Sequence, residues 1–321
     1  MLNSEGDMLE AMQKVAIGNI SQIARDACKR RNDIRQEIRA LGILDDIAVK
    51  FSDPAFHNKL LFPFVNDTVP TRFGIDNENK WFYVGREIFT ELLNEVQKPW
   101  LPDRSSLWVY GTRGYGKSHL LAALVYCLSA TEKRIVYIPD CRGCLIDPIT
   151  YIRAAMLFAW AGDESKKEEI MTLKTWAEIY EFFQNCRYAS FRGSRERELI
   201  FVIDQMNALA QLDEDDDNEK TNKANLRNWL GRFTAGHKAI FSTSANYTTF
   251  LQRSKRQTTE VTIRVYGGFT PVSSNNIAEG GLSNCESDGN VVLVGTEQRL
   301  ENQEGRNQKS QGGNRNCKIE G

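Results

Sequence analysis

The stretch that decides the fold runs Leu107-Trp-Val-Tyr-Gly-Thr-Arg-Gly-Tyr-Gly-Lys-Ser-His-Leu-Leu121. Its first four residues, Leu107 to Tyr110, are apolar or aromatic and predict a short buried strand. The glycine-rich segment from Gly111 to Ser118 then satisfies the pattern G-x-x-x-x-G-K-[ST] in full, and a helix is predicted from Lys117 to about Ala130. A strand, a glycine-rich loop and a helix in this order are typical of a phosphate-binding P-loop.

The residue types in this loop suit the phosphates of ATP bound with Mg²⁺. Glycines let consecutive backbone N–H groups turn toward phosphate oxygens, and the positive end of the following helix dipole faces the same anion. Lys117 is expected to reach the β- and γ-phosphates, and the hydroxyl of Ser118 is expected to ligate Mg²⁺. His119, in the first helical turn, is expected to pack or to contact the edge of the nucleotide. The predicted nucleotide-binding residues are Gly111, Thr112, Arg113, Gly114, Tyr115, Gly116, Lys117, Ser118 and His119.

A second apolar run, Leu199-Ile-Phe-Val-Ile203, is typical of a strand buried on both faces, and Asp204 and Gln205 follow it directly. A carboxylate at the carboxyl end of such a strand is expected beside the P-loop, where Asp204 would hold the Mg²⁺ shell. Many ATPases have Glu at the next position as the base for the attacking water. The amide of Gln205 cannot take a proton but can orient water. Slow or partner-dependent hydrolysis is therefore expected.

A third apolar strand, Ala239 to Thr243, leads into small polar residues. Thr243, Ser244 and Asn246 are candidates for contact with the γ-phosphate or its water, with ordinary capping of the strand end as an equal alternative. We group Thr243 with Lys117, Asp204 and Gln205 as the predicted catalytic set. An arginine finger is sought among Arg227, Arg232 and Arg264, and the sequence does not choose between them.

The alternation of strands and helices along the chain predicts an α/β fold with a mostly parallel sheet and helices on both faces. Besides the strands named above, strands are predicted at Trp81–Val84, Arg134–Ile138 and Val261–Tyr266. Helices are predicted at about Ile88–Val96, Pro148–Trp160, Lys174–Asn185 and Asn222–Phe233. Aromatic residues at helical spacing are expected in the core rather than in a base-stacking platform; they are Trp160, Trp176, Tyr180, Phe182 and Phe183. Prolines and a glycine among residues 51–80 indicate an irregular connector. Residues 1–74 are predicted to form a helical extension and an irregular connector, with a helix end at Gly42. The P-loop domain is expected over residues 75–270. Residues 271–321 form a polar, low-complexity tail that we expect to be disordered, with an edge strand at Val291–Val294 as the alternative.

The composition excludes several classes of protein. With a net charge of −1 over 321 residues, the chain as a whole has no electrostatic attraction to nucleic acid or to a membrane, although a local basic patch stays open. Seven scattered cysteines do not suggest a disulfide framework, and the pair Cys141 and Cys144 lacks the second pair that a zinc site needs. The acidic run Asp213–Asp217 is expected to be a solvated loop.

Nothing in Met1–Ile20 suggests a signal peptide, and no run is apolar enough to span a bilayer, so a soluble cytoplasmic or nuclear protein is expected. The oligomeric state stays open.

The chain resembles the P-loop NTPase module of the Crinkler effector proteins of filamentous eukaryotic microbes, related to modules in the retrotransposon hot spot proteins. The resemblance covers about residues 75 to 270, and the Asp204–Gln205 pair looks like a trait of that family. It lies in the blocks Val109–Leu121, Val136–Cys141, Phe201–Leu209, Phe241–Asn246 and Arg264–Phe269.

The resemblance implies an ATPase, a hydrolase acting as the conformational module of a secreted effector that enters the host cell, commonly its nucleus, and engages a host protein. The N-terminal header usual in that family is not recognisable in residues 1–60. The segment after Phe269 is too short for the usual C-terminal nuclease-like or kinase-like domain. Two alternatives stay open: a nucleotide-binding interaction module without significant hydrolysis, and a remnant of a nucleic-acid-directed NTPase–nuclease.

Overall fold

A computed structural model describes residues 4–66, 68, 70–99, 106–131, 133–190, 199–244 and 261–265. The predicted disordered tail, the alternative strand at 291–294 and the candidate Asn246 lie outside these residues. The described chain has a mixed α/β architecture, in which helices flank a five-stranded, all-parallel sheet.

The described residues contain seven strands in two sheets. A small antiparallel sheet pairs the first two strands, and the other five form the parallel sheet in the order β4-β5-β6-β3-β7. Their bounds are β1 His57–Leu61, β2 Lys80–Val84, β3 Ser106–Gly111, β4 Arg134–Ile138, β5 Leu199–Ile203, β6 Lys238–Ser244 and β7 Val261–Arg264.

The α-helices of the described residues precede, separate or cover these strands. They are α1 Ser4–Leu41, α2 Leu44–Ser52, α3 Ile88–Gln97, α4 Lys117–Leu128, α5 Cys141–Ile146, α6 Pro148–Ala159, α7 Glu164–Thr172, α8 Trp176–Ser190 and α9 Asp217–Thr234. Two short 3-10 helices lie at Thr71–Phe73 and Met206–Leu209.

The central strands are buried along nearly their whole length. Every residue of β3 and β5 is buried, as are all but the first residue of β4 and all but the last of β6. Successive side chains of a strand point to opposite faces of a sheet, so both faces of these strands are covered. The prediction of a parallel sheet made of apolar runs is therefore confirmed.

The structure contains elements that the apolar pattern did not predict. The connector expected at residues 51–80 holds β1, which pairs with β2 through residues such as Leu60 opposite Trp81. Helices α5 and α7 were also not expected. They lie between β4 and β5, where the sequence indicated only two helices. Helix α1 ends at Leu41, next to Gly42, as predicted.

The acidic run Asp213–Asp217 is exposed apart from Asp215 and leads into helix α9, which begins at Asp217 rather than at the predicted Asn222. Asp216 caps the helix by accepting a hydrogen bond from the Glu219 N–H at 2.7 Å. Asp215 forms an ion pair with Lys223 at 2.8 Å, and both side chains are buried. These contacts give the run a structural role.

Helix α1 belongs to the same hydrophobic core as the parallel sheet. Its buried residues Ile23, Ala27 and Ile34 are part of the single cluster that also contains the central strands. Arg31, only 5% exposed, donates to the carbonyl of Phe158 at 3.1 Å and to that of Lys133 at 3.0 Å. The helical extension is thus tied to the carboxyl end of α6.

The remaining sequence expectations concern metals, thiols and membranes. Cys141 and Cys144 are free and buried in α5, and burial raises the pKa of both thiols. Within the described ranges, no three His, Cys, Asp or Glu side chains are grouped so that they could hold a metal ion. No described helix combines the length and apolar character needed to cross a membrane.

Candidate nucleotide site

A cavity of about 970 Å³ lies at the carboxyl ends of β3, β5 and β6. After β3 the next strand in sequence, β4, lies at one edge of the sheet. After β6 the next strand, β7, lies at the opposite edge. Parallel sheets bind ligands at such points, because the loops after neighbouring strands separate there and leave a crevice. The cavity volume is at the upper end of the range for small-molecule sites.

The predicted P-loop forms one wall of this cavity. Gly114 and Gly116 have positive φ angles of 89° and 72°, which glycine adopts without strain. Helix α4 begins at Lys117, directly after them. The Nζ atom of Lys117 donates to the carbonyls of Gly111 and Thr112, at 2.7 Å each. The loop thus turns at two glycines with positive φ, and the amino group of Lys117 is held against the loop's own carbonyls.

The predicted loop residues divide into two groups. Gly111 is buried at the end of β3, Thr112 contributes its carbonyl to Lys117, and Tyr115 packs against the hydrophobic core. The residues that line the cavity are Arg113, Gly114, Gly116, Lys117, Ser118 and His119.

Gly111 is required by the last strand of the sheet. A Cβ atom added at Gly111 would lie 2.1 Å from the carbonyl oxygen of Val265, and the Val265 N–H donates to the Tyr110 carbonyl at 2.7 Å. The first glycine of the motif therefore permits the close approach of the segment after β7.

Asp204 lies at the end of β5, 1% exposed, and lines the cavity. Strand β6 lies between β5 and β3. The strand that leads to Asp204 is therefore not a direct neighbour of the strand that leads into the predicted P-loop. The Oδ2 atom of Asp204 accepts from Arg72 at 3.1 Å, and its Oδ1 accepts from the Ser242 hydroxyl and from the Gln205 N–H. Burial lowers the pKa of Lys117, and the negative charge of Asp204 offsets only part of this lowering.

Gln205 is held by the same network. Its φ of 62° is in the left-handed region, an uncommon conformation for a residue with a side chain. With each amide atom facing a complementary partner, its Nε2 donates to Asp140 at 3.2 Å and its Oε1 accepts from Arg72 at 3.0 Å. The amide predicted to orient water is therefore occupied by protein partners in this arrangement.

Strand β6 does not bring Thr243 to the cavity wall, although Thr243 was placed in the predicted catalytic set. Ser242 and Ser244 line the cavity. Thr243 is fully buried, does not line the described part of the cavity, and its Oγ1 has no hydrogen-bond partner. Because neighbouring strand residues point to opposite faces, the structure brings Ser242 rather than Thr243 to Asp204.

Three cavity residues were not among the predicted site residues. Arg72 lies in the 3-10 helix after β1, Arg86 follows β2, and Asp140 follows β4. Arg72 donates to Asp140 at 3.1 Å as well as to Asp204. Burial would lower the pKa of Arg72, but the two carboxylates outweigh it and raise that pKa. Of the three, Asp140 carried a signal in the sequence, because it follows a predicted strand and lies within the block Val136–Cys141.

The arginine-finger candidates lie elsewhere. Arg232 covers the ring of Trp229, with 4.4 Å from its guanidinium carbon to the ring centroid, and lies 4.7 Å from the ring centroid of Tyr180. Arg264 is exposed in β7, and one guanidinium nitrogen of Arg227 is buried. In the described part of the cavity wall, the arginines are Arg72, Arg86, Arg113 and Arg142.

His119 is positioned by aromatic packing. Its ring lies 5.0 Å from Phe73 and 5.4 Å from Trp81, between centroids. Burial, with the nearby positive charges of Arg72 and Arg86, lowers its pKa to about 4. His119 is therefore neutral at pH 7, and its ring packs against aromatic side chains without contributing a positive charge to the cavity.

The charge of the cavity fits an anionic ligand. Its described wall carries five cationic side chains against the two carboxylates of Asp140 and Asp204; the cations are Arg72, Arg86, Arg113, Lys117 and Arg142. The oxygen donors on the wall, such as the Ser118 hydroxyl and the Asp204 carboxylate, are of the type that Mg²⁺ accepts. Mg²⁺ usually takes one or two protein ligands together with phosphate and water, so these residues fit the group.

No protein-family model matches the chain, and no curated protein matches it either.

Proposed function

We propose that the chain is a P-loop NTPase that binds ATP with Mg²⁺ and hydrolyses it slowly or when a partner binds. The observation that carries the proposal is the loop Gly111–Ser118, which lies between a buried strand and a helix and shares one cavity with Asp204. In this proposal the chain is a Crinkler-like conformational module of an effector that acts in a host cell. That biological setting rests on the sequence resemblance alone.

Phosphate binding is assigned to the loop and to the start of α4. The backbone N–H groups after Gly114 and Gly116 and the positive end of the helix dipole favour an anion there. Lys117 donates to two loop carbonyls at 2.7 Å and can exchange them for phosphate oxygens by rotation of its side chain. The amino group then acts as a point charge on the phosphates.

Metal binding is assigned to Ser118 and Asp204, whose side chains line the same cavity. When bound, Mg²⁺ screens the charge of the phosphate oxygens and of the departing group. Asp204 is already compensated by Arg72 and Ser242, so a metal shell has to share or replace these contacts.

Slow hydrolysis follows from the side chains that would handle the attacking water. The two carboxylates of the described cavity wall, Asp140 and Asp204, both pair with Arg72, and the amide of Gln205 bridges Asp140 and Arg72. In this arrangement both of these carboxylates contact a guanidinium, which makes each a weaker base. Movement of Arg72 away from Asp140 or Asp204 would restore the basicity of that carboxylate. The binding of a partner protein could cause this movement.

The experiment is nucleotide binding by calorimetry with Mg²⁺, together with phosphate release, for the unmodified chain and for Lys117→Ala. We expect ATP to bind to the unmodified chain and its affinity to fall at least about tenfold in the variant, since a charge-assisted contact of roughly 1.5–3 kcal/mol is lost. A melting temperature measured without nucleotide controls for folding. Lack of ATP binding by the unmodified chain would refute the proposal.

The engaged amide of Gln205 favours a second candidate, a module that binds nucleotide without significant hydrolysis. Steady-state phosphate release separates the two. Turnover by the chain alone excludes the second candidate, whereas binding with no release above the rate of Lys117→Ala supports it.

A further inference from the structure

We propose that Arg86 is a phosphate-binding residue of this site, an arginine from the chain's own N-terminal half that contacts the polyphosphate of the nucleotide beside Lys117. The inference rests on the proposed function and adds to it a residue that lies outside the P-loop and the strand ends. Arg86 follows β2 and lines the cavity.

The first support is the contact between Arg86 and the P-loop. A Cβ atom added at Gly116 would lie 2.0 Å from the Nη1 atom of Arg86. The guanidinium therefore lies directly against the loop backbone, on the residue whose positive φ shapes the turn before Lys117. An anion held by the N–H groups of this turn is within reach of the guanidinium donors. Planar guanidinium groups bind phosphate oxygens through two parallel hydrogen bonds.

The second support is the way the backbone fixes this side chain. The Arg86 N–H donates to the Phe51 carbonyl at 2.8 Å, and the Gly85 N–H donates to the Phe56 carbonyl at 2.9 Å. A Cβ atom added at Gly85 would lie 2.0 Å from the Asp53 carbonyl oxygen, so only glycine allows this approach. The base of Arg86 is thus held by α2 and the segment after it. Because this backbone is already held, a ligand has to order only the Arg86 side chain when it binds.

The third support is the charge around the guanidinium. Burial lowers the pKa of Arg86, and the positive charge of Arg86 in turn contributes to the lowered pKa of Lys117 and of His119. Positive groups that lie this close repel one another, and an anion placed between them relieves the repulsion. The arrangement is suited to a polyphosphate, because its several negative oxygens can contact Arg86 and Lys117 together.

The test compares Arg86→Gln and Arg86→Lys with the unmodified chain. The probes are ATP and ADP with Mg²⁺, and calorimetry is carried out at several salt concentrations. We expect Arg86→Gln to weaken both nucleotides at least about tenfold and to make the affinity less dependent on salt, because one ionic contact is lost. Arg86→Lys keeps the charge, so its affinity should be intermediate and its salt dependence unchanged.

The matched control is Arg153→Ala. Arg153 is also a partly buried arginine whose pKa is lowered by burial, but it donates to the carbonyls of Ile170 and Met171, away from the cavity. Its loss should lower the melting temperature and leave the nucleotide affinity within about twofold, which is a difference of roughly 0.4 kcal/mol.

Two results overturn the inference and can be told apart. If the unmodified chain and Lys117→Ala both fail to bind ATP, the proposed function fails and Arg86 has no phosphate to bind. If the unmodified chain binds ATP and Arg86→Gln binds it within about twofold, with the same salt dependence, only the role of Arg86 fails. If Arg86→Gln does not fold, Arg86→Lys decides: affinity and salt dependence both equal to those of the unmodified chain contradict the role.

Discussion

Arg72 makes the contact that most affects the chemistry of the candidate site. Its guanidinium joins Asp204 and Asp140, two carboxylates that follow different strands, and it contacts the amide of Gln205. Asp204 is only 1% exposed, so removal of its partner leaves a negative charge with little access to water. The same residue therefore controls the stability of the site and the availability of the carboxylates.

Arg72→Met should lower the free energy of unfolding by about 3 kcal/mol. This is the smallest loss expected when one partner of a buried ion pair is removed, because the Arg72 side chain is still 25% exposed. Urea denaturation without nucleotide measures the change. Adding Asp204→Asn to the variant should restore part of the loss, because the uncompensated charge disappears.

Lys59→Met is the matched control. Its ion pair with Asp76, at 3.0 Å, is exposed, with 63% of the lysine side chain accessible. Such pairs contribute at most about 1 kcal/mol. Equal losses for Arg72→Met and Lys59→Met would contradict the role given to Arg72.

The buried His237 and the partly buried His119 should make stability depend on pH below neutrality. His237, hydrogen-bonded to the Phe183 carbonyl, has a pKa lowered by burial to about 4, like that of His119. Between pH 4 and about 6.5 the unfolded chain binds protons that the folded chain does not, so stability is retained above this window and lost as the pH falls through it. From pH 7 to pH 5 each histidine should cost about 2 kcal/mol.

His237→Gln should reduce the loss of stability between pH 7 and pH 5 by about 2 kcal/mol, the contribution of one histidine. The measurement is the free energy of unfolding at pH 7 and pH 5. Arg153→Ala serves as the control, because it should lower stability equally at both pH values. An unchanged difference between pH 7 and pH 5 in His237→Gln would contradict the assignment.

At the level of elements, β3, the loop and α4 form the unit that the sequence defined best. The apolar run predicted the strand, and the motif predicted the loop and the start of the helix at Lys117. The structure adds that Gly111 also has a packing role, since the carbonyl of Val265 occupies the space where a side chain would begin.

Gly111→Ala should therefore destabilise the sheet by about 1–3 kcal/mol, because the added methyl group forces β7 away from β3. Gly231→Ala, in the last turn of α9, is the contrasting change. Nothing lies within 4 Å of its added Cβ, so the substitution should stabilise the protein by about 0.5–1 kcal/mol through the better helix propensity of alanine. Thermal unfolding of both variants measures these effects. Changes of the same sign would contradict the packing argument.

At the level of the whole molecule, α1 and the parallel sheet share one hydrophobic core. Arg31 connects α1 to the carbonyl groups at the end of α6, including those of Phe158 and Ala159. Carbonyls at the end of a helix lack partners within it, and a buried guanidinium can satisfy several at once. We therefore expect residues 19–41 to unfold together with the sheet.

Arg31→Met should lower the free energy of unfolding by about 3 kcal/mol while the protein still unfolds in one transition, since buried carbonyls lose a charged donor. Near-ultraviolet and far-ultraviolet circular dichroism should give coincident melting curves. The exposed Lys50→Met, which removes a donor to the Leu41 carbonyl, should change stability by less than about 1 kcal/mol. A far-ultraviolet transition that precedes the near-ultraviolet one would show that α1 melts independently.

Sequence patterns predicted the parts of the fold that depend on local order in the chain. The apolar runs predicted β2 to β6 almost residue by residue, and they also indicated β7. The aromatic residues of α8 were expected in the core, and Phe182 and Phe183 are buried there. Helices α5 and α7 were missed because α5 is short and α7 is mostly polar, so neither has a marked apolar stripe. The strand β1 was missed because prolines nearby indicated an irregular segment.

The candidate site was predicted in part. Lys117, Ser118, Asp204 and Gln205 meet at one cavity, as expected from the motif and from the ends of parallel strands. Thr243 does not line it, because the direction of a strand side chain depends on the register with neighbouring strands and not on composition. Arg72 and Arg86 could not be foreseen, since each lies in a segment without a motif and is brought to the cavity by tertiary contacts.

By itself, the sequence determined the glycine-rich loop Gly111–Ser118 between a strand and a helix, the strands of the parallel sheet and the position of Asp204 at a strand end. These features follow from residues that are neighbours in the chain or recur at a fixed period, so local geometry suffices to predict them. Only the tertiary structure decided that β6 separates the P-loop strand from Asp204, and that Arg72 and Arg86 reach the same cavity. Such contacts join residues far apart in the chain, because strand order and packing bring them together and no local pattern encodes the pairing.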